Sequence, residues 1–289
     1  MTETGHLTST VPPFDVATGR WPWSAVGRRR IVLLAGSAPD VVALRDSELG
    51  GLTTVAVNNA WRIRDDFDYV VFPRNFPDEN RPPKGYAGAL VREVNYLKHV
   101  ASAGGLLFCG STMAFNAGYW AVRYLKPAMI GFAACDMIYD DDETHFYGKG
   151  EADPLRDNLT LRSLEAKSAR LFAYALAAGT VAVNFSTRPR SRLMLPRLPL
   201  ADARHRSAMR RLASEVRRSS EGRAIIDDAR RISRMEIAAP FDVDPNNYWA
   251  LVGDAAAIEF LDGIDRQWLG LVPHIEAVSE MIGRWISSL

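Results

Sequence analysis

His145 lies in the most polar stretch of the chain, Tyr139-Asp140-Asp141-Asp142-Glu143-Thr144-His145-Phe146-Tyr147-Gly148-Lys149-Gly150. Imidazole is the side chain whose ordinary pKa suits it to take a proton near neutrality, so His145 is the candidate general base. Tyr139, Tyr147 and Lys149 offer O–H or ammonium donors that can steady a developing negative charge. Asp136 closes the apolar run before this stretch, where a carboxylate can meet a ribose or a metal ion. This chemistry requires no cofactor. If an ion takes part it is Mg²⁺, which prefers carboxylate oxygens and shared phosphates, with Asp136, Asp140 and Asp142 as the ligands in question. Consecutive residues on an extended chain cannot all face one ion, and the acidic run reads equally well as a solvated loop around a solvated histidine.

Two turns of small residues are the other chemical feature. Ile31–Asp40 (IVLLAGSAPD) is a short apolar run, then Gly36-Ser37-Ala38, then Pro39. The run reads as a buried parallel strand. The turn leaves room for a ligand against the backbone, and Pro39 suits a first helical turn that directs N–H groups at phosphate. The second turn, Gly110-Ser111-Thr112, opens a helix over Met113–Tyr124, and its two hydroxyls either cap that helix or hold a phosphate. Asn58-Asn59, after the strand Thr53–Val57, supply amides able to read a base or ribose at a strand's carboxyl end, or simply form a turn. There is no dinucleotide-type glycine fingerprint and no phosphate-loop lysine.

These motifs need a scaffold, and the hydrophobic pattern provides one. Further strands are read at Tyr69–Phe72, Leu106–Cys109, Ala128–Ala134 and Thr180–Asn184, with helical spacing over Ala87–Ser102 and Leu161–Ala178. Such alternation predicts an α/β fold, a doubly wound and mostly parallel Rossmann-like sheet. Beyond about residue 200 the pattern is helical only. The expected organisation is a flexible lead-in over 1–24, a nucleotide-sugar-binding domain over 25–190, and an Arg-rich linker with a helical extension over 191–289. The last helix has an apolar side (Ile275, Val278, Met281, Ile282, Trp285, Ile286) that packs on the core or on a second subunit, so a homo-oligomer is one option.

Of the 289 residues, 35 are Lys or Arg and 34 Asp or Glu, a net charge of +1 that points to no particular partner. The charge is nevertheless uneven. Between Arg188 and Arg234 there are fourteen arginines against five acids. Arg204, Arg206, Arg210, Arg211, Arg217 and Arg218 read either as a face for nucleic acid, anionic lipid or polyanionic glycan, or as a solvated helix surface. The two cysteines, Cys109 and Cys135, form neither a CxxC pair nor a disulfide framework, which fits a reducing cytoplasm. No apolar run is long enough to span a membrane.

Taken in order, AGSAPD, VNNAW, GSTMAFNAGYWAV, MIGFAACDM and THFYG, over about Arg30–Thr187, resemble the bacterial sialyltransferase family and its wider Rossmann-like clan, which includes the archaeal hydroxymethylpterin diphosphokinase-like group. The resemblance implies a nucleotide-sugar donor, held by the turn at Ser37 (where the family has an Asn), by Asn58 or Asn59, and by Gly110-Ser111-Thr112. It matches the family's aspartate to Asp136 and its tyrosine, in kind, to Tyr139. The family's histidine follows a glycine, whereas here His145 precedes Gly148. The function expected is glycosyl transfer from a nucleotide-sugar, one linked to CMP among them, to an acceptor hydroxyl, which a polyanionic polymer such as a glycan or modified DNA could carry. The alternatives are a Mg²⁺-dependent diphosphokinase of the pterin type and a non-catalytic nucleotide-binding module.

Overall fold

The computed structural model describes residues 30–139, 144–149 and 158–288. The lead-in over 1–24 and the acids Asp140, Asp141, Asp142 and Glu143 lie outside the described residues. Six strands form one sheet: β1 (Ile31–Ala35), β2 (Thr53–Val57), β3 (Tyr69–Val71), β4 (Ala89–Val91), β5 (Met129–Ala133) and β6 (Val181–Asn184). Their order across the sheet is β4-β3-β2-β1-β5-β6 and every pairing is parallel. The fold is therefore α/β and Rossmann-like. β1, β5 and β6 are buried along their whole length, as expected of strands covered on both faces. The register sets Val32 opposite Thr53 on one side and Ile130 on the other.

The helices are α1 (Glu93–Ala101), α2 (Gly105–Cys109), α3 (Met113–Tyr124), α4 (Leu164–Ala177), α5 (Leu200–Ala203), α6 (Arg206–Arg218), α7 (Ser220–Ile237), α8 (Ala255–Leu269) and α9 (Val272–Ile286). α3 packs on β1, β2 and β5, α4 on β6, and α6 on β5 and β6. α7 and α8 lie against α4, and α9 lies against α6 and α7. Ile275, Val278 and Ile282 of α9 are buried within the chain's own core. Among the described residues no helix is long and apolar enough to cross a membrane.

Two expectations fail together near the middle of the chain. Leu106–Cys109, read as a strand, is helix α2. Gly104 and Gly105 both hold positive φ (110° and 76°), which reverses the chain just before it, and the Leu107 N–H is taken by the Pro245 carbonyl at 2.9 Å rather than by a neighbouring strand. A four-residue apolar run has too few turns to show a period, so its burial alone does not choose between strand and helix. The sixth strand comes instead from Ala89–Val91, inside the stretch read as helical. It pairs with β3 as an edge strand, and α1 begins only after it, where the Asn95 side chain accepts from the Arg92 N–H at 3.0 Å. The helix expected after Pro39 is a six-residue 3-10 turn, Pro39–Leu44, too short to build an appreciable dipole.

Buried charges tie residues 200–288 to the sheet layers. Arg170 of α4 (2% exposed) donates to both carboxylate oxygens of Glu236 of α7 at 2.8 and 2.7 Å, to the Tyr119 hydroxyl at 2.7 Å and to the Ala103 carbonyl at 2.5 Å. The Trp268 indole of α8 completes the set on Glu236 at 2.8 Å. Lys167 of α4 meets Asp265 of α8 at 2.8 Å, also buried. Removing one partner of such a pair leaves the other charge desolvated and alone. Glu236→Ala is therefore expected to lower stability by about 3–5 kcal/mol. Urea denaturation checks this, and an unchanged midpoint would show that the network contributes little.

Candidate functional site

The strand order reverses between β1 and β5, so the segments leaving these two strands diverge and open a crevice at the sheet's carboxyl edge. A cleft of about 520 Å³ occupies that crevice. Its floor is the β1 turn, Gly36, Ser37 and Ala38, with the β5 turn, Ala134, Cys135 and Met137. Asn58 and Asn59 form one wall, and Thr112, Met113 and Ala114 at the start of α3 form another. Tyr139, Thr144, His145 and Tyr147 close it, and Asn75, Phe76 and Asn80 make its lip.

The two floor turns touch. Gly36 N–H donates to the Ala133 carbonyl at 2.8 Å and Ala38 N–H to the Ala134 carbonyl at 3.1 Å. A Cβ at position 36 would lie 2.3 Å from the Ala134 oxygen and 2.7 Å from the Cys135 sulfur, so glycine is required by close approach. The Ser37 carbonyl in turn accepts from the Phe146 N–H at 3.0 Å, which anchors the histidine segment to the β1 turn. His145 and Gly148 exchange backbone hydrogen bonds at 3.1 and 3.0 Å, closing a tight turn that carries the imidazole.

The His145 ring stacks on Tyr147, centroids 5.0 Å apart, and lies 5.9 Å from Tyr139. Its Nδ1 is 2.9 Å from the Thr144 hydroxyl, and in the tautomer whose Nδ1–H donates to that oxygen the Nε2 lone pair is free to accept a proton. Burial lowers its pKa below the ordinary histidine value, so the ring is neutral and basic at pH 7. Cys135, by contrast, is pushed well above the usual thiol range by burial and by the nearby charges of Asp136 and Asp40, and is a neutral wall residue. No Lys, Arg, Asp or Glu lines the cleft among the described residues.

Two features mark the walls. The Oδ1 atoms of Asn58 and Asn59 are both buried with no hydrogen-bond partner among the described residues, a state that costs about 1–3 kcal/mol for each atom left without a donor. At α3 the Thr112 side chain caps by accepting from the Phe115 N–H at 3.2 Å, while the Met113 and Ala114 amides, on the cleft wall, have no intrahelical acceptor. The backbone is strained here as well. Of the four described non-glycine residues with positive φ, three (Asn58 at 51°, Ala134 at 53°, Met137 at 56°) line the cleft.

Several expected site residues sit elsewhere. Gly110 packs against Phe115 and Lys167, and the Ser111 hydroxyl accepts from Thr160 Oγ1 at 2.7 Å, so of that elbow only Thr112 reaches the cleft. Asp136 is 0% exposed and faces away from the cleft toward β6, where it accepts from Asn184 Nδ2 at 3.2 Å and from Ser186 Oγ at 2.5 Å. These contacts engage both of its carboxylate oxygens and hold it out of the cleft. Asp140 and Asp142 lie outside the described residues. Arg204 pairs with Glu48 at 3.3 Å and Arg206 lies against Gly51, both of which precede β2, at the sheet edge opposite the cleft. The basic surface is thus not a wall of this site. Sequence reasoning missed the lip residues Asn75, Phe76 and Asn80, whose polar, proline-spaced stretch was the available signal, and the partnership of Asp40 with Asp136.

No protein-family model, curated protein or solved structure matches the chain.

Asp40 follows the floor turn after a single residue, Pro39. Its Oδ2 is 3.4 Å from Ser186 Oγ, its Oδ1 is buried without a partner, and burial together with the Asp136 charge raises its pKa. A carboxyl that binds its proton more tightly folded than unfolded opposes folding once the pH exceeds the unfolded value, and relief comes as pH falls through the folded value. Asp40→Asn should therefore raise Tm at pH 7, with the gain shrinking as the pH approaches the unfolded carboxyl range near 4. Melting curves of both proteins across that range test it; a variant destabilised at pH 7 would show that the Asp40 charge is well compensated.

Proposed function

We propose that the cleft binds a nucleotide-sugar and that the protein transfers the sugar to an acceptor hydroxyl, with His145 as the base. The observation that carries this reading is the convergence, around one imidazole, of a small-residue floor, two amide oxygens lacking donors and the first turn of α3. Asn58 and Asn59 would accept from the exocyclic amine of a base or from ribose hydroxyls. The Met113 and Ala114 amides would face the phosphates, where fixed N–H dipoles stabilise charge without a lysine. In the transfer step the acceptor O–H proton passes to His145 Nε2 as the new C–O bond forms at the anomeric carbon. The bond from that carbon to the phosphate oxygen breaks, and the nucleotide departs with the electron pair. The Tyr139 and Tyr147 hydroxyls would donate to the departing phosphate. The resemblance of the ordered motifs to the bacterial sialyltransferases makes a CMP-linked sugar the first donor to try.

A thermal-shift panel of CMP, UDP, GDP and ATP, each with and without Mg²⁺, tests the binding. A nucleotide at about 100 times its Kd should add ~2.7 kcal/mol of stability. Stabilisation by a pyrimidine nucleotide without metal supports sugar transfer; a response to ATP alone, and only with Mg²⁺, would replace it with the phosphotransferase alternative.

His145→Ala should reduce nucleotide release from the matching nucleotide-sugar by roughly 10²–10⁴-fold while leaving nucleotide affinity within a factor of two or so. Because burial depresses the His145 pKa, the base is already neutral at slightly acidic pH. The rate should rise with pH and level off with a midpoint below the ordinary histidine value of about 6.5. A midpoint above that value, or full activity in the alanine variant, would remove His145 from the role.

A further inference from the structure

Helix α6 divides sharply. Ala208, Met209, Leu212, Ala213 and Val216 are buried, while the remainder of the helix carries five arginines against a single acid, Glu215. Between Arg188 and Arg234 all fourteen cations are arginine, with no lysine among them. On α7 two of the four arginines are answered locally, Arg230 by Asp227 and Arg231 by Asp228. On α6 Arg206, Arg211, Arg217 and Arg218 form no ion pair among the described residues. Ser207, Arg211, Ser214 and Arg218 follow one another at four- and three-residue steps, a single stripe about 16 Å long, and border a shallow groove of about 440 Å³ with Arg210 and one acid, Glu215. Arg217 Nε is buried without an acceptor, and both burial and the charge of Arg218 push that guanidinium's pKa down. Five arginines against one carboxylate leave an excess of positive charge on this helix that a bound anion relieves.

We infer that the outer stripe of α6 is a docking surface for the phosphate backbone of duplex nucleic acid, separate from the cleft. Guanidinium forks interleaved with hydroxyls match phosphate oxygens, which accept from both. A membrane is disfavoured because the apolar side of α6 is turned into the core and no large apolar side chain of this helix is exposed, so nothing enters the acyl layer. The stripe holds no aromatic ring on which unpaired bases could stack, so the contact is with the backbone and independent of sequence. The helix begins beside Glu48 and Gly51, at the amino ends of the strands, and none of its residues lines the cleft at their carboxyl ends.

This surface goes beyond the nucleotide-sugar reading and does not depend on it. The test is fluorescence anisotropy of the full chain with a short, dye-labelled duplex DNA of mixed sequence. With about four phosphates neutralised, log K should fall against log salt with a slope of about −3.6, roughly 150-fold between about 50 and 200 mM NaCl. Arg211→Gln with Arg218→Gln should halve that slope and weaken binding roughly tenfold at the lower salt, with an unchanged melting curve, while Arg230→Gln with Arg231→Gln stays within about twofold. Saturating CMP should not displace the duplex. The inference is overturned if no binding is seen at the lower salt, if the double variant on α6 keeps the full slope, if phosphatidylglycerol vesicles bind and the duplex does not, or if the nucleotide competes.

Discussion

The contact between the turns that leave β1 and β5 is the constraint on which the candidate site depends. Two parallel strands at the centre of the sheet receive connections that depart in opposite directions, and the gap between those connections is a property of the strand order. The gap is usable because its floor is thin. Gly36 lets the Ala133 and Ala134 carbonyls approach within hydrogen-bond distance, and the Ser37 carbonyl then fixes the segment bearing His145. One missing side chain therefore sets the spacing of both floor turns and the position of the only imidazole on the cleft wall among the described residues.

The cleft is built at the expense of local stability. Three residues in left-handed backbone conformation and two amide oxygens without donors surround a space that holds no charged side chain among the described residues. Strain of this kind persists only where the surroundings over-determine it. Here they do: the floor rests on strands with no exposed residue, and Asp136 locks the end of β5 to Asn184 and Ser186 beyond β6. A binding surface made of backbone amides and uncharged side chains suits a ligand that brings its own charge, since N–H dipoles held in place need not reorganise when it arrives.

The helices after residue 200 are fastened through buried polar groups as well as by apolar packing. Arg170 alone reaches α7, α3 and the segment before α2, and Glu236 is shared with the Trp268 indole of α8. Such a pair adds little net energy over an apolar equivalent but strongly disfavours arrangements in which either charge loses its partner. It follows that the relative placement of α4, α7 and α8 is tightly specified, and with it the orientation of α6, whose arginines face outward.

Much of this was legible in the residues themselves. The apolar β-branched runs at Ile31–Ala35, Thr53–Val57 and Val181–Asn184, and the 3.6-residue period of Met113–Tyr124, are local signals, and they determined the α/β class, the parallel sheet and the site edge. Gly36-Ser37-Ala38, Asn58-Asn59, Thr112 and His145 could be picked out because small residues, paired amides and a loop imidazole are chemically unusual after strands. What the chain alone left open was decided by contacts remote in sequence. Leu106–Cys109 became helix because Gly104 and Gly105 turn the chain and Pro245 takes a backbone amide, while Ala89–Val91 became strand because β3 had a free edge. Asp136, a natural candidate by position, was drawn to Ser186 and Asn184 fifty or so residues on, away from the cleft. Residue type and spacing specify which groups are available and which element carries them; only the three-dimensional packing decides which way each side chain points, because that choice rests on partners that adjacent sequence does not contain.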